Sequence, residues 1–325
     1  MIRVLSKADV DSLLFQRESS VALEIVDLMA DTFATYTATK GTDSKSAQAP
    51  QRMGVVTDAH KVLFMPSRLH HTTSVKVVSV PTGDTKTGLP ATILVLDEAT
   101  GSVEAVMNAS ALTAVRTAAG SALATRYFAV ENAKHLVILG AGAQARAHVD
   151  MMLAVRPSIE HICIWNRRAE RRDALIKEIQ ADYPSHHAVA VDDLEAAVRK
   201  ADIVCTCTNA SEPVLQGAWL KDGVHLNCIG SYTPAMHEVD SETIQRVTSL
   251  VVDSIEACKE EAGELIKSSK PEDWVELGQI VLDKHVQRSK ITLFKSVGIS
   301  VQDSAVAGFI LKKAKQANLG SVVPF

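Results

Sequence analysis

The sequence predicts an α/β protein in which a Rossmann-type, doubly wound parallel sheet domain is combined with an α+β domain. Three observations predict this fold. A glycine-rich turn follows an apolar strand at 136–142, which reads LVILGAG. After this turn, apolar runs alternate with helical stretches, a pattern typical of a parallel sheet covered by helices on both faces. Before it, short β-rich runs between Val62 and Val106 are separated by turn sequences, which favours an antiparallel sheet.

The predicted elements of the first part begin with a short helix whose N-cap is Ser6. A longer amphipathic helix is predicted for 21–38, and the apolar residues that recur there at helical spacing are Leu23, Val26, Met29, Ala30 and Phe33. The stretch 40–52, KGTDSKSAQAPQR, is polar and predicts a loop. Strands are predicted in VKVVSV, ATILVLDE and SVEAVM, with PTGDTKTGLP at 81–90 as a turn.

An alanine-rich helix at 109–130 leads into the strand at Leu136. Beyond the glycine-rich turn, strands are predicted in HICIW, HHAVAV, DIVCTCT, GVHLNCIG and LVVDS, with helices in RRAERRDALIKEIQ and LEAAVRKA. The stretch 289–317 predicts a strand, a glycine-bearing turn and a closing helix. Because it does not extend the alternation of strands and helices, we expect this stretch to return to the first domain.

Composition limits the classes of partner. The 325 residues are 46% hydrophobic and 22% charged, with a net charge of −4, so no electrostatic feature favours nucleic acid or an anionic membrane. The five cysteines lack C-x-x-C spacing and are expected to be reduced, packed thiols, and the histidines do not predict a metal site. No signal peptide or membrane span is recognised, and we expect a cytoplasmic protein.

The glycine-rich turn has the G-x-G-x-x-A pattern of a dinucleotide site. Gly140 permits the tight turn after the strand, Gly142 lets the backbone approach a pyrophosphate, and Ala145 allows close packing of helix on strand. The phosphates would lie at the helix N-terminus, beside Ala143 and Gln144, where free N–H groups favour anions. A strand before the turn and a helix after it make the pattern more specific than the glycines alone.

The residues after the second strand of this domain bear on which nucleotide is bound. An NAD site usually carries an acidic residue there, which binds the ribose hydroxyls. This chain has Asn166 and Arg167 instead, followed by Arg168. An amide beside guanidinium groups suits a 2′-phosphate, so we predict NADPH, with NADH as the alternative cofactor. The other interpretation of RRAERR is a solvated helix start.

Several stretches together resemble the ornithine cyclodeaminase/mu-crystallin family. They occur in the family's order across 75–306 and are VKVVSVP, GLPATILVLDEATG, ALTAVRTAAGSALA, GAGAQA, WNR, GSYTPAMHEVD, DSIEACKEEAGEL and ITLFKSVGISVQDSAVA. The resemblance implies a substrate-binding and dimerisation domain at 1–117 and 295–325, a Rossmann dinucleotide-binding domain at 118–294, and a homodimer.

The resemblance also implies roles for particular residues. Arg52 and Arg116 match the arginines that hold the substrate carboxylate, and Lys76 matches the active-site lysine. The chemistry is reasonable, because a guanidinium binds a carboxylate with two hydrogen bonds and a lysine among valines is partly desolvated. Lys76 could instead face solvent on an amphipathic strand, and Arg116 could bridge within its own helix. The predicted cofactor contacts are Gly140, Gly142, Ala143, Gln144, Asn166, Arg167, Thr208 and Ser231.

One position departs from the cyclodeaminases of that family. They carry an aspartate two residues before the proline of the segment GSYTP, where this chain has Tyr232. A phenol with a pKa of about 10 is a poor base at neutral pH, so cyclisation of ornithine with loss of ammonia is disfavoured. We therefore expect NADPH-dependent reduction of a small, cyclic α-imino acid such as pyrroline-2-carboxylate or piperideine-2-carboxylate. The alternatives are a cyclodeaminase, an amino-acid dehydrogenase resembling alanine dehydrogenase, and a non-catalytic binding protein.

Overall fold

The computed structural model describes residues 1–15, 19–82, 89–284 and 290–324. Its strands are β1 (Ile2–Leu5), β2 (Ala47–Gln48), β3 (Met53–Val56), β4 (His60–Leu69), β5 (Thr72–Pro81), β6 (Ala91–Leu96), β7 (Val103–Asn108), β8 (His135–Leu139), β9 (His161–Trp165), β10 (His187–Ala190), β11 (Ile203–Thr206), β12 (His225–Cys228), β13 (Ser249–Val252), β14 (Val275–Glu276), β15 (Thr292–Lys295) and β16 (Ser321–Val323). The predicted turn at 81–90 falls mainly on 83–88, outside the described residues.

The helices complete the list of elements. They are α1 (Lys7–Leu14), α2 (Ser19–Thr39), α3 (Ser110–Phe128), α4 (Ala143–Val155), α5 (Ala169–Asp182), α6 (Leu194–Val198), α7 (Ser241–Arg246), α8 (Ile255–Glu261), α9 (Gly263–Ser268), α10 (Leu277–Asp283) and α11 (Ser300–Gln316). Short 3-10 turns occur at Gly217–Trp219 and Pro271–Asp273. No helix in these described ranges is both long and apolar enough to cross a membrane.

The chain divides into two compact units. The first comprises Met1–Arg116 with Ile299–Phe325, and the second comprises Thr117–Gly298. The second boundary therefore lies after 298, whereas the sequence suggested a boundary after 294. The reason is that Ser296, Val297 and Gly298 all donate hydrogen bonds to the Asp253 carboxylate within the second unit.

The first unit is an α+β structure built on one predominantly antiparallel sheet. The strand order is β16-β1-β7-β6-β5-β4-β2, with β3 also paired to β4, and only the β1–β7 pair among these is parallel. Helix α11 packs on β4, β5 and α2. The predicted N-cap Ser6 is confirmed, because its side chain accepts a hydrogen bond from the Asp9 amide. The terminal strands β1 and β16 were not predicted.

The predicted helix at 21–38 is present as α2. Val26, Met29 and Phe33 are completely buried, as their helical spacing predicted, while Leu23 and Ala30 are half-buried. The buried stripe also includes Val21 and Ile25, which the sequence analysis did not assign.

The second unit is an α/β structure with a fully parallel sheet, which confirms the predicted Rossmann-type fold. The strand order is β10-β9-β8-β11-β12-β15-β13-β14. The first five positions follow the 3-2-1-4-5 order of nucleotide-binding sheets, so the order reverses between β8 and β11. Ligands of such sheets bind at this point, beyond the carboxyl ends of the strands.

One expectation about the closing stretch was wrong. Its strand, β15, does not return to the first unit but lies in the parallel sheet between β12 and β13. All four of its residues are buried, including the polar Thr292 and Lys295, as expected for a strand inside a parallel sheet. Only the helix after it, α11, belongs to the first unit, as expected.

Candidate functional site

Lys76 is buried by helix α11. On β5, Ser74, Lys76 and Val78 alternate with the less buried residues between them, so these three side chains share the covered face of the sheet. The Lys76 side chain is only 1% exposed. The alternative in which Lys76 faces solvent is therefore wrong.

Asp303 of α11 is the direct partner of Lys76. Its Oδ2 atom lies 2.8 Å from Lys76 Nζ, and the Asp303 side chain has no exposed surface. Its other oxygen, Oδ1, accepts a hydrogen bond of 3.1 Å from Arg116 Nε. One carboxylate thus joins a lysine from β5 to an arginine from α3.

Arg116 is held by α11 rather than by its own helix. Its Nη1 atom donates a hydrogen bond of 2.9 Å to Gln302 Oε1, in addition to the bond from Nε to Asp303. The Gln302 amide in turn donates to the backbone carbonyl of Arg116 at 3.2 Å. The alternative in which Arg116 bridges within its own helix is therefore wrong.

The electrostatics of this group favour an anionic ligand. Burial lowers the pKa of Lys76 to about 8, Asp303 opposes this shift, and the positive charges of Arg116 and Arg52 add to it. Arg52 is half-buried in the segment before β3. The structure therefore joins Lys76 and Arg116 through Asp303, and Arg52 acts on Lys76 through its charge; their roles in binding a substrate remain predictions. Two cations contact the Asp303 carboxylate and Arg52 adds a third positive charge, so a substrate carboxylate would reduce the remaining positive charge.

Sequence reasoning missed the roles of Gln302 and Asp303. Both are completely buried on α11. A signal for Asp303 was available, since Val306, Ala307 and Ile310 follow it at helical spacing and form the apolar stripe of the helix. A carboxylate in such a stripe requires a cationic partner, although the sequence does not identify that partner.

The glycine-rich turn has the geometry of a phosphate site. Gly140 adopts φ +119°, and a Cβ at this position would lie 2.6 Å from the carbonyl oxygen of Cys207. Gly142 is the N-cap of α4, and apart from Gly142 and its chain neighbours no atom of the described residues lies within 4 Å of where its Cβ would be. Ala143 beside it is exposed, and Gln144 is half-buried. The first N–H groups of α4 lack acceptors within the helix, so an anion has room to bind them.

The residues predicted to select the nucleotide follow β9. Arg167 is exposed, and Asn166 is half-buried, with its side-chain amide donating a hydrogen bond of 2.8 Å to the backbone carbonyl of Arg168. Arg172 is instead paired with Asp173 and Asp192. The Arg172 side chain is only 14% exposed, whereas Arg167 is exposed at the end of the strand.

Thr208 and Ser231 donate their hydroxyl hydrogens to buried carboxylates. Thr208 bonds to Glu238 through its backbone N at 2.6 Å and its side chain at 2.8 Å, and Ser231 bonds to Glu264. These bonds fix the segments after β11 and β12. The direct contacts of Thr208 and Ser231 with a cofactor remain predictions.

A buried polar cluster around Lys295 connects the carboxyl ends of the central strands. Lys295 Nζ donates to Glu264 Oε1 at 2.7 Å and to the backbone carbonyl of Ser231 at 2.6 Å. Burial disfavours its charge, but Glu264 and Glu238 together raise the pKa of Lys295. Glu238 also accepts a hydrogen bond of 2.6 Å from the Gly230 amide. Sequence analysis did not identify this cluster, which holds the edge of the sheet beside the glycine-rich turn.

Within the described ranges, no group of three or more His, Cys, Asp or Glu side chains is arranged to hold a metal ion. All five cysteines are unpaired thiols.

Comparisons with known proteins find relatives over most of the chain. The sequence profile of the ornithine cyclodeaminase/mu-crystallin family matches residues 7–318. A Delta(1)-pyrroline-2-carboxylate reductase of Bacillus cereus is 35% identical over 284 residues, covering 82% of this chain and 86% of the relative. The ketimine reductase mu-crystallin of Mus musculus is 35% identical over 239 residues, covering 72% of this chain and 74% of the relative.

A solved structure extends the similarity to the whole fold. The Delta(1)-pyrroline-2-carboxylate reductase of Thermococcus litoralis, in complex with NADH and L-proline, superposes with a TM-score of 0.89 and 31% identity. The match covers 99% of this chain and 100% of that chain.

Proposed function

The chain belongs to the ornithine cyclodeaminase/mu-crystallin family, and on this premise we propose that it is an NAD(P)H-dependent reductase of a small α-imino acid. The substrate is a cyclic imine that carries a carboxylate beside its C=N bond, such as pyrroline-2-carboxylate or piperideine-2-carboxylate. The product is the corresponding L-amino acid. The relatives named as pyrroline-2-carboxylate reductase and ketimine reductase support this choice of substrate class.

The observation that carries the proposal is the buried pair of Lys76 and Arg116 on Asp303, with the charge of Arg52 acting on Lys76. Reduction of an α-imino acid requires a site for the carboxylate and a proton donor for the nitrogen. Guanidinium groups suit the carboxylate, because they bind it with two parallel hydrogen bonds. A lysine with a pKa near 8 is mostly protonated at neutral pH and can exchange its proton within the working range.

The proposed mechanism assigns one task to each side chain. Arg52 and Arg116 bind the substrate carboxylate and orient the imine. Lys76 donates a proton to the imine nitrogen or holds the carboxylate by a hydrogen bond. A nicotinamide, when bound, would supply the hydride that the imine carbon accepts. Carbon gains a hydride and nitrogen a proton, so C=N becomes CH–NH while the reduced nucleotide is oxidised.

The nucleotide is held by the glycine-rich turn and the start of α4. Gly140 and Gly142 fit a pyrophosphate, since the first is in a conformation that glycine favours and the second leaves open space at the helix N-terminus. Ala143, Gln144, Thr208 and Ser231 complete the proposed cofactor contacts. We propose NADPH rather than NADH, because exposed Arg167 can bind a 2′-phosphate and Asn166 adds no competing negative charge.

We also propose a homodimer in the cytoplasm. Its support is the exposed apolar strand β3, where Met53, Val55 and Val56 are all more than half exposed. Unpaired thiols at all five cysteines agree with a reducing compartment. Light scattering coupled to size-exclusion chromatography tests the dimer, and a monomer at micromolar concentration would contradict it.

The activity is tested by following NADPH oxidation with four sets of reactants. These are pyrroline-2-carboxylate, piperideine-2-carboxylate, pyruvate with ammonia, and no acceptor. We expect turnover with at least one cyclic imine and none without an acceptor. Faster turnover with pyruvate and ammonia would favour an amino-acid dehydrogenase, and no turnover despite NADPH binding would favour a binding protein.

A separate assay tests the cyclodeaminase alternative. With ornithine and oxidised nucleotide, we expect no release of ammonia above background, because Tyr232 supplies no carboxylate base. Sustained formation of proline from ornithine would overturn the proposed reductase function.

A further inference from the structure

Asp303 contacts both side chains that the proposed mechanism uses most directly. Its Oδ2 atom lies 2.8 Å from Lys76 Nζ, and its Oδ1 atom accepts the 3.1 Å bond from Arg116 Nε. Both of its oxygens are therefore occupied by different cations, one from β5 and one from α3. Asp303 has no exposed surface, so both contacts are shielded from solvent in this structure.

The charged groups around Lys76 come from three elements. Asp303 faces it from α11, Arg116 from α3, and Arg52 from the segment before β3. Burial is the largest effect and disfavours the ammonium, and the two arginines act in the same direction. Asp303 opposes all three through its charge and its hydrogen bond. Its removal would leave the ammonium beside two positive charges.

We propose that Asp303 is a positioning residue of the imine reduction, whose carboxylate keeps the Lys76 ammonium protonated and aligns it with the Arg116 guanidinium. This inference rests on the proposed reductase function. Asp303 does not itself touch the substrate. It fixes the proton donor and the carboxylate-binding group relative to one another, so that one substrate can use both.

Asp303 acts on both Lys76 and Arg116, but only Arg116 is also held by Gln302. Its side chain accepts the 2.9 Å bond from Arg116 Nη1 and donates to the Arg116 backbone, so it holds the guanidinium independently. The ammonium of Lys76 has no equivalent support from Gln302. Loss of the Asp303 charge should therefore affect proton donation, and hence kcat, more than binding of the substrate carboxylate, and hence KM.

The test compares Asp303→Asn with the wild type in imine reduction across pH. An opposite charge at this distance shifts a pKa by about 1 to 3 units, so the alkaline limb of the kcat profile should move to lower pH by at least about one unit. For a shift of about one unit, kcat should fall about twofold at pH ~7 and nearly tenfold at pH ~9, while KM changes less. The Kd for NADPH should stay within about twofold of the wild type, since the glycine-rich turn is untouched.

Ser304→Ala is the matched control. Ser304 is the adjacent buried residue of α11, and its hydroxyl bonds to Ser67 and Ser74 within the same unit. This variant should lower Tm without moving the pH profile. If Asp303→Asn also lowers only Tm and keeps the alkaline limb in place, Asp303 is merely structural and the inference fails.

Two further measurements keep the test decisive. If Asp303→Asn does not fold, Asp303→Glu retains the charge and should keep the alkaline limb while lowering kcat. An unchanged kcat in Asp303→Glu would refute the positioning role.

If the wild type reduces no imine, the proposed function fails, and the effect of Asp303 on the protonation of Lys76 is then tested by unfolding at several pH values. The contribution of Lys76, obtained by comparison with Lys76→Met, should then begin to change at lower pH in Asp303→Asn than in the wild type. An unchanged pH dependence would exclude control of Lys76 by Asp303.

Discussion

Replacement of Lys76 by methionine should remove catalysis while it relieves an electrostatic cost of folding. Methionine has a similar length and is apolar, so it suits the covered face of β5. Asp303 keeps one cationic partner in this variant, because Arg116 Nε still donates to it. We expect kcat for imine reduction to fall by about 10²- to 10⁴-fold, the usual contribution of a positioned proton donor.

The stability effect follows from the pKa of Lys76. Its ordinary value is 10.5, and burial lowers it to about 8 in the folded protein. A depressed lysine pKa means that the unfolded chain binds the proton more tightly, so the free energy of unfolding rises as pH increases from about 8 to 10.5. The full shift corresponds to about 3 kcal/mol, and the cost is present below pH ~8.

Urea unfolding at several pH values measures this effect. The difference in the free energy of unfolding between the wild type and Lys76→Met should change by about 3 kcal/mol between pH ~7 and pH ~10.5. Lys61→Met replaces an exposed lysine of β4 and serves as the control, for which no comparable change is expected. A pH-independent difference, or a kcat of Lys76→Met within threefold of the wild type, would refute this reasoning.

Three further predictions address other parts of the molecule. Arg116→Ala should lower kcat/KM for the imine by about 10- to 150-fold with little change in the Kd for NADPH. Arg116→Lys should not restore kcat/KM fully, because an ammonium lacks the planar arrangement of donors of a guanidinium. Steady-state kinetics and nucleotide titration of the purified variants would check this. Arg167→Ala should narrow the preference for NADPH over NADH, and a wild type that already prefers NADH tenfold would contradict the assignment. Burial lowers the pKa of His148 to about 4, so the free energy of unfolding should fall as pH drops from about 6.5 towards 4, by about 2 kcal/mol at pH ~5. In thermal melts at several pH values, His148→Gln should lose less stability over this range than the wild type. If Tm falls equally with pH in both proteins, His148 is not the cause of the loss.

The features that the sequence predicted best are those determined by local pattern. The glycine-rich turn lies where predicted because Gly140 and Gly142 satisfy a local requirement of backbone geometry and open space. Helix α2 follows from its apolar spacing in the same way. The burial of Lys76 was anticipated only in part. The valines beside it lie on the other face of β5, and helix α11, distant in sequence, is what covers the lysine.

The features that were missed depend on contacts between distant residues. Asp303 pairs with Lys76 and Arg116, and nothing near it in the sequence specifies those partners. The sequence predicted that Lys295 belongs to a stretch returning to the first unit, but its strand β15 lies between β12 and β13 in the parallel sheet of the second unit. A continuous apolar run shows that a strand is buried on both faces but not which sheet it enters.

The discontinuous first unit has a consequence for synthesis of the chain. Lys76 and Arg116 precede the second unit, whereas α11, which carries Asp303, follows it. A ribosome therefore synthesises the whole sequence of the second unit before it adds Asp303, the counter-ion of Lys76. Until then Lys76 and Arg116 lack their shared carboxylate, and Lys76 is not yet covered by α11. A transcript truncated before α11 would encode an intact sequence for the second unit and a first unit without the acid that organises its cations.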